Sequence, residues 1–309
     1  MNQKKIILVT GATGAQGNGV ASALLRDGKF HVRCLTRNAN SPKARELAAM
    51  GAEVVEGDLD DINSLRAAVD GCYGVFGVTS FWEHFEKEYQ QGKNLINVVR
   101  EKVVQHFVFS SLPDYKALSN GKFAVPHCDM KAELERYAKY LQIPTTFIHI
   151  AFYYENFLTF FPPQAAGDGN YYFGFPQGET KLAMVSAEDM GPIVKAVFDN
   201  PQLYKNRTVG VVGEDSACDE YAATMSKVLR KDVRYNYIER DTYASFGFPG
   251  AEELANMFEV QRLHIPSRQH HLDECLVMHP EMQSFESWLE KNKHLFFAQQ
   301  KEAGVSIAL

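Results

Sequence analysis

Cysteine is sparse and scattered: Cys34, Cys72, Cys128, Cys218 and Cys275 are odd in number, far apart and include no C-x-x-C pair. That pattern argues against a disulfide framework and against a zinc site, and favours a reducing compartment. The expected location is cytoplasmic, with the nucleus as the other possibility. Long apolar runs are missing as well. After Lys4 and Lys5 the run 6–9 stops at Thr10-Gly11, too short for a secretion signal, and nothing reaches the length of a membrane span. No membrane association is expected. Basic charge is not in excess: the net charge is −6, so a direct nucleic-acid partner is not expected either, because phosphate contacts need clustered Lys and Arg. A protein partner or self-association stays open. Internal repeats and low-complexity tracts are lacking. With 309 residues the chain is near the upper size for a single core, so one large domain with an appended lobe is the expected shape.

What is present is a glycine turn in a telling place. Thr10 leads into Gly11, Ala12, Thr13, Gly14, Ala15, Gln16 and Gly17, after the apolar run 6–9 and before the apolar-periodic segment 20–25. Strand, glycine turn and helix in that order make a dinucleotide site. Gly11 permits the tight turn, Gly14 lets backbone N–H groups approach a pyrophosphate, and Gly17 lets the helix pack close. The helix start then offers unpaired N–H groups and the positive end of its dipole to phosphate.

Strand and helix signals alternate through the first half, which implies βαβ units. The later strands are expected at 31–37, 53–58, 74–79, 106–111 and 145–150, with a long helix from the fourth strand to about residue 100 and another over 130–141. Residues 151–178, rich in aromatics, Gly and Pro, read as loops crossing to another lobe. A return strand at 182–185, a capping box at 186–189, a helix over 190–198 and a strand at 207–212 follow. Helices then dominate, at 220–230, around 252–263 and at 285–294, and residues 302–309 are expected to fray. The fold class is therefore α/β, a Rossmann-type doubly wound parallel sheet with a smaller, mostly helical C-terminal lobe. The domains are expected at 1–151 plus about 180–212 for the nucleotide-binding lobe, and 152–179 plus 213–309 for the smaller one.

The end of the second strand decides which nucleotide is expected. An NAD-preferring site places a carboxylate there, whereas this chain has Thr36, Arg37 and Asn38. A carboxylate repels a 2′-phosphate; the planar fork of Arg37 fits one. The expected cofactor is NADP(H). Asp58 and Leu59 would flank the adenine, and Thr79, Ser80 and Phe81 lie beside the cofactor's path.

These residues, with Tyr154-Glu155-Asn156-Phe157, resemble the NmrA-like family of atypical short-chain dehydrogenases over nearly the whole chain. The runs 246–251 and 254–258 are similar in particular to its NADPH-sensing animal members. The resemblance implies a Rossmann lobe holding NADP(H), a smaller C-terminal lobe and often a regulatory role. It implies cofactor contacts at Gly11 to Gln16, Arg37, Asn38, Ser41, Asp58, Leu59, Thr79, Ser80, Phe81, Lys131, Tyr153, Tyr154, Glu155 and Asn156. Two departures suggest a looser grip on the 2′-phosphate. Asn40-Ser41 follow Asn38, with Lys43 and Arg45 only later, and Gln90 is neutral where some relatives are basic.

Short-chain dehydrogenases use Tyr-x-x-x-Lys, the Lys lowering the Tyr pKa while the Tyr passes a proton. Tyr89 and Lys93 have that spacing but precede the fifth strand, so they are read as a decoy. At the expected place His127 stands in the Tyr position, with Lys131 four residues on. Lys131 either holds the ribose or is a solvated helical Lys; His127 either donates a proton or is merely packed. Ser110 and Ser111 sit where a dehydrogenase serine would, and strand ends favour Ser anyway. The histidines 264, 270, 271 and 279 are not expected to converge on a metal. Two functions follow as expectations: an NADP(H)-binding redox sensor that changes conformation or protein association, or an NADPH-dependent reductase of quinone-like or conjugated carbonyl compounds.

Overall fold

Apolar runs that are continuous rather than alternating belong in a parallel sheet covered on both faces, and here they form one. The computed structural model describes residues 4–296; the stretch 302–309 lies outside the described residues. Up to residue 150 the elements are β1 (Ile6–Val9), α1 (Ala15–Asp27), β2 (His31–Thr36), α2 (Pro42–Ala49), β3 (Glu53–Glu56), α3 (Ile62–Val69), β4 (Gly74–Gly77), α4 (Phe81–His84), α5 (Lys87–Glu101), β5 (His106–Ser111), α6 (Tyr115–Leu118), α7 (Pro126–Tyr140) and β6 (Thr145–Ile150). With the strand Thr208–Val211 these build a seven-stranded sheet in the order Thr208–Val211, β6, β5, β4, β1, β2, β3, parallel throughout. The order reverses at β1, which lies between β2 and β4. The crevice outside the C-terminal ends of β1 and β4 is thus the topological switch point.

The core supports this placement. Leu8, Val75, Phe107, Phe109 and Phe147 from the strands pack with Leu95, Val98 and Val99 of α5 and Leu134 and Ala138 of α7, all buried. One helix departs from expectation. The long helix after β4 is broken into α4 and α5 at Phe85, whose φ of 47° lies in the left-handed region. The segment 78–86 therefore stands apart at the C-terminal end of β4.

The described chain divides into two units. One runs to Ile150 and takes in Ala187–Val211 and Asp273–Glu281; the other comprises Ala151–Ser186, Val212–Leu272 and the chain from Met282. The second unit holds the expected helices, Cys218–Leu229, Ala251–His264 and Phe285–Asn292, but also two three-stranded sheets. The return strand, Lys181–Val185, was expected with the nucleotide-binding lobe. It pairs instead with Glu214–Ala217 and Phe152–Tyr153 in the second unit. Residues read as loops contribute Tyr171–Phe175, which pairs in parallel with Val233–Tyr237. Its aromatic side chains fill that unit's core: Phe175 stacks on Phe258 at 4.5 Å, and Phe157 and Phe173 meet edge-on at 5.2 Å. No helix among the described residues is long and apolar enough to cross a membrane.

One buried group makes the first unit acid-sensitive. His106, at the start of β5, is fully buried, with Nε2 2.8 Å from Thr146 Oγ1. The Thr146 hydroxyl donates its hydrogen to the Tyr204 carbonyl at 2.7 Å, so His106 Nε2–H must be the donor to Thr146. Burial pushes its pKa down to about 3. A depressed value means that the unfolded chain takes up a proton near pH 6.5 while the native one does not. Stability is therefore complete above pH 6.5 and is lost as pH falls from there toward 3, at about 1.4 kcal/mol per pH unit. Urea melts at pH 6.5 and 5.0 should show this slope in the wild type and a shallower one in His106→Asn; equal slopes would remove His106 as the cause.

Candidate functional site

The glycine turn is fixed to the sheet by Thr10. Its buried hydroxyl accepts from the Val78 N–H at 2.9 Å and donates to the Val78 carbonyl at 3.2 Å, locking the end of β1 to the end of β4. Gly11 has φ +57°, and a Cβ there would lie 2.8 Å from Val78 Cγ1. At Gly17 the constraint is stronger: a Cβ would lie 2.2 Å from the Gly11 carbonyl oxygen, backbone against backbone. Turn and helix thus touch with no room for a side chain. α1 begins at Ala15 with Gly14 as its cap; no side chain caps it, and its first turn carries no acidic residue. An anion is the group such a helix start suits.

Beside it, the loop after β2 presents the sequence-expected residues in mixed roles. Arg37 is largely exposed and pairs with Glu83 Oε2 of α4 at 3.3 Å. Asn38 Oδ1 accepts from the Asn40 N–H at 2.9 Å, and Ser41 caps α2 by accepting from the Ala44 N–H at 3.3 Å. Both side chains shape the loop that carries Arg37. Asp58 Oδ1 accepts from the Asp60 N–H, and the Leu59 carbonyl is held by Asn94 Nδ2 at 2.9 Å. These two residues thus form a turn tied to α5 at the end of β3.

On the β4 side the geometry shows what holds Lys131. Its ammonium has three donors, and three acceptors take them: Glu88 Oε1 in a very short contact, Thr79 Oγ1 at 3.0 Å and the Thr79 carbonyl at 3.2 Å. Thr79 also donates its hydroxyl to Glu88 Oε1 at 2.6 Å. The Glu88 side chain is fully buried and that of Lys131 is 11% exposed. Lys131 is not a solvated helical lysine; it clamps the end of β4, α5 and α7 together. Ser111 is likewise committed, donating to the Lys131 carbonyl at 3.1 Å. His127, one turn before Lys131 on α7, is nearly buried against Phe81 and Trp82, with ring centroids 6.0 and 5.5 Å away. Ser80 precedes α4 without a side-chain capping bond. His127 and Lys131 therefore both face the segment 79–82. Tyr89 and Lys93 do not: Tyr89 donates to Glu133 at 2.9 Å, and Lys93 lies over the rings of Tyr89 and Tyr137.

The remaining expected residues belong to the second unit. Tyr154 is fully buried there, its ring packed on Phe285 and Trp288 at 5.2 and 5.6 Å, which leaves it no surface for a ligand. Glu155 Oε1 accepts from Ser186 Oγ at 2.9 Å and from Trp288 Nε1 at 3.2 Å. Aromatic residues sort into a core whenever one is available, which overrides the ligand role expected for Tyr154. Tyr153 and Asn156 are half-exposed.

Sequence reading missed two acids. Glu88 had a detectable signal: it falls in register with Gly92, Leu95 and Val99 on the buried stripe of α5, and a carboxylate on such a stripe needs a cationic partner. Glu83 had none, since nothing in its neighbourhood points to Arg37.

The sequence model of the NmrA-like family matches residues 3–289. An NmrA-like family domain-containing oxidoreductase of Aspergillus hancockii is 36% identical over 273 residues, covering 82% of each chain. Among solved structures, NmrA, a negative transcriptional regulator, has been determined in complex with NAD and with NADP. Each complex shares 22% identity with this chain at a TM-score of 0.82 and covers 99% of both. The NADPH-dependent quinone oxidoreductase of Escherichia coli, complexed with NADPH, gives a TM-score of 0.77 at 21% identity, over 93% of this chain and 99% of that one. At these identities the structural likenesses concern the fold.

Proposed function

This chain belongs to the NmrA-like family, and from that premise we propose that it binds NADP(H) at the glycine turn and works as a redox-sensing regulator, changing its conformation or its association with proteins, itself included, according to occupancy. One observation carries the reading: a glycine turn packed without clearance against an uncapped helix start, with the Arg37 guanidinium at the end of the neighbouring strand. The N–H groups from Gly11 to Gly17 would hold the pyrophosphate, Arg37 the 2′-phosphate, and Asp58 and Leu59 the adenine edge. Bound there, the nucleotide supplies a hydride donor or acceptor. The solved structures named above hold NAD, NADP or NADPH, which agrees with this assignment.

Regulation is favoured over catalysis by the groups at the nicotinamide side of the turn. Lys131 and Ser111 already have protein partners, and His127 stands where the proton-passing Tyr is needed. The redox input would enter through the nucleotide rather than through thiols. All five cysteines are buried, and burial lifts Cys34 to about 12 and Cys72 to about 11, so neither forms a reactive thiolate at neutral pH. Sensing further requires that the nucleotide prefer one conformer, since equal affinity for both shifts nothing.

Two measurements test this. Hydrogen exchange with and without NADP⁺ should protect amides in 11–18 and 36–41; protection confined to other segments counts against the site. Sedimentation velocity with NADPH, with NADP⁺ and with neither should differ in association state or frictional ratio; identical profiles in all three remove the sensing role. A second reading, reduction of quinone-like or conjugated carbonyl compounds, draws on His127 beside the exposed ring of Trp82 and on relatives named as oxidoreductases. Steady NADPH oxidation with such a panel, lost in His127→Ala, would favour it.

A further inference from the structure

We propose that Glu83 narrows the nucleotide preference of this site by acting as an internal anion that competes with the 2′-phosphate for Arg37. The inference rests on the dinucleotide assignment above and adds to it a residue from beyond another strand. Arg37 follows β2 and Glu83 lies on α4, beyond β4, 46 positions later in the chain. Because β2 and β4 are the two neighbours of β1 and all three run parallel, both residues emerge at the edge where the glycine turn emerges. Their ion pair, Nη2 to Oε2 at 3.3 Å, joins the flanks of β1 at that edge. The same oxygen lies 3.6 Å from His84 Nε2.

The guanidinium that a 2′-phosphate needs is thus already engaged by a carboxylate. Both side chains are about three-fifths exposed, 60% and 59%, so solvent screens the pair and it is weak. A phosphate dianion, with more charge and three acceptor oxygens, displaces the carboxylate; a ribose hydroxyl does not. NADP(H) therefore competes with Glu83 for Arg37, and NAD(H) does not. Glu83 narrows the gap between the two nucleotides by the strength of that pair. The absence of a carboxylate at the end of β2 itself is offset by one brought in from beyond β4.

Calorimetric titration of the full chain with NADP⁺ and with NAD⁺ tests the proposal in wild type, Glu83→Gln and Glu86→Gln. Glu86 is an exposed acid three residues on, so its variant carries the same charge change without touching Arg37. Glu83→Gln should bind NADP⁺ about two- to fivefold more tightly, the range of an exposed ion pair, with NAD⁺ little changed. The ratio of the two constants should not move in Glu86→Gln, nor when Glu83→Gln is made on an Arg37→Ala background. A ratio unchanged by Glu83→Gln, or both nucleotides tightening equally, overturns the role of Glu83 and leaves the dinucleotide site standing. Absence of heat with both nucleotides in every protein overturns both.

Discussion

Lys131→Met is expected to destabilise the protein by about 3–5 kcal/mol at pH 7.5, the cost of leaving a buried charge without its partner. Glu88 has no exposed side-chain surface, its Oε2 has no partner among the described residues, and its other oxygen depends on Lys131 and Thr79. Methionine keeps the apolar stem of the lysine and removes only the ammonium, so packing loss is minor. Glu88→Gln should cost less, because Lys131, at 11% exposure and on a flexible stem, can turn its head toward water. Lys131→Met/Glu88→Leu should regain most of the loss, as buried pairs replaced by apolar side chains often do. The double variant separates this mechanism from simple misfolding. Denaturant melts of the wild type, both single variants and the double variant at pH 7.5 decide; a Lys131→Met penalty below about 1 kcal/mol, or no recovery in Lys131→Met/Glu88→Leu, would mean that the pair contributes little. The same result bears on enzymology. Lost NADPH oxidation in a Lys131 variant signals a catalytic lysine only where the folded fraction matches that of the wild type.

Gly17→Ala should weaken NADP⁺ and NAD⁺ alike, by at least about tenfold and toward several hundredfold. The new methyl would sit 2.2 Å from the Gly11 oxygen, 2.5 Å from its carbonyl carbon and 2.7 Å from the Thr10 oxygen, all of them backbone. Either the turn or the helix start must yield by about 1 Å to reach ordinary contact. That displacement breaks the alignment of the N–H groups with a pyrophosphate, and each bond to a charged acceptor is worth about 1.5–3 kcal/mol. The fold itself should lose about 1–3 kcal/mol, typical of overpacking, so binding is measured well below the melting temperature. Equal loss for both nucleotides marks the pyrophosphate; unchanged affinities would show that no ligand is held by this turn.

Much of the first unit was legible because its signals are local. The strands at 106–111 and 145–150 coincide with expectation, since sheet-buried runs are apolar along their whole length and end in turn residues. The glycine turn announced itself through a spacing that only close backbone contact requires. What the sequence did not disclose depends on partners far along the chain. Tyr171–Phe175 reads as loop until Val233–Tyr237 arrives to pair with it, and Tyr154 reads as a ligand contact until Phe285 and Trp288 enclose it. Lys131 is 43 positions from Glu88, and Arg37 is 46 from Glu83. Local pattern reveals that a carboxylate sits on a buried face, but not which cation meets it.

The most direct test of the nucleotide site compares NADP⁺ with NAD⁺ by calorimetry in wild type and Arg37→Ala. Removing the guanidinium should weaken NADP⁺ by about 10- to 100-fold, the worth of charge-assisted bonds to a phosphate, and leave NAD⁺ within about twofold. Heat from neither nucleotide, or NADP⁺ affinity indifferent to the loss of Arg37, would contradict the assignment of this sheet edge to a phosphorylated nicotinamide nucleotide.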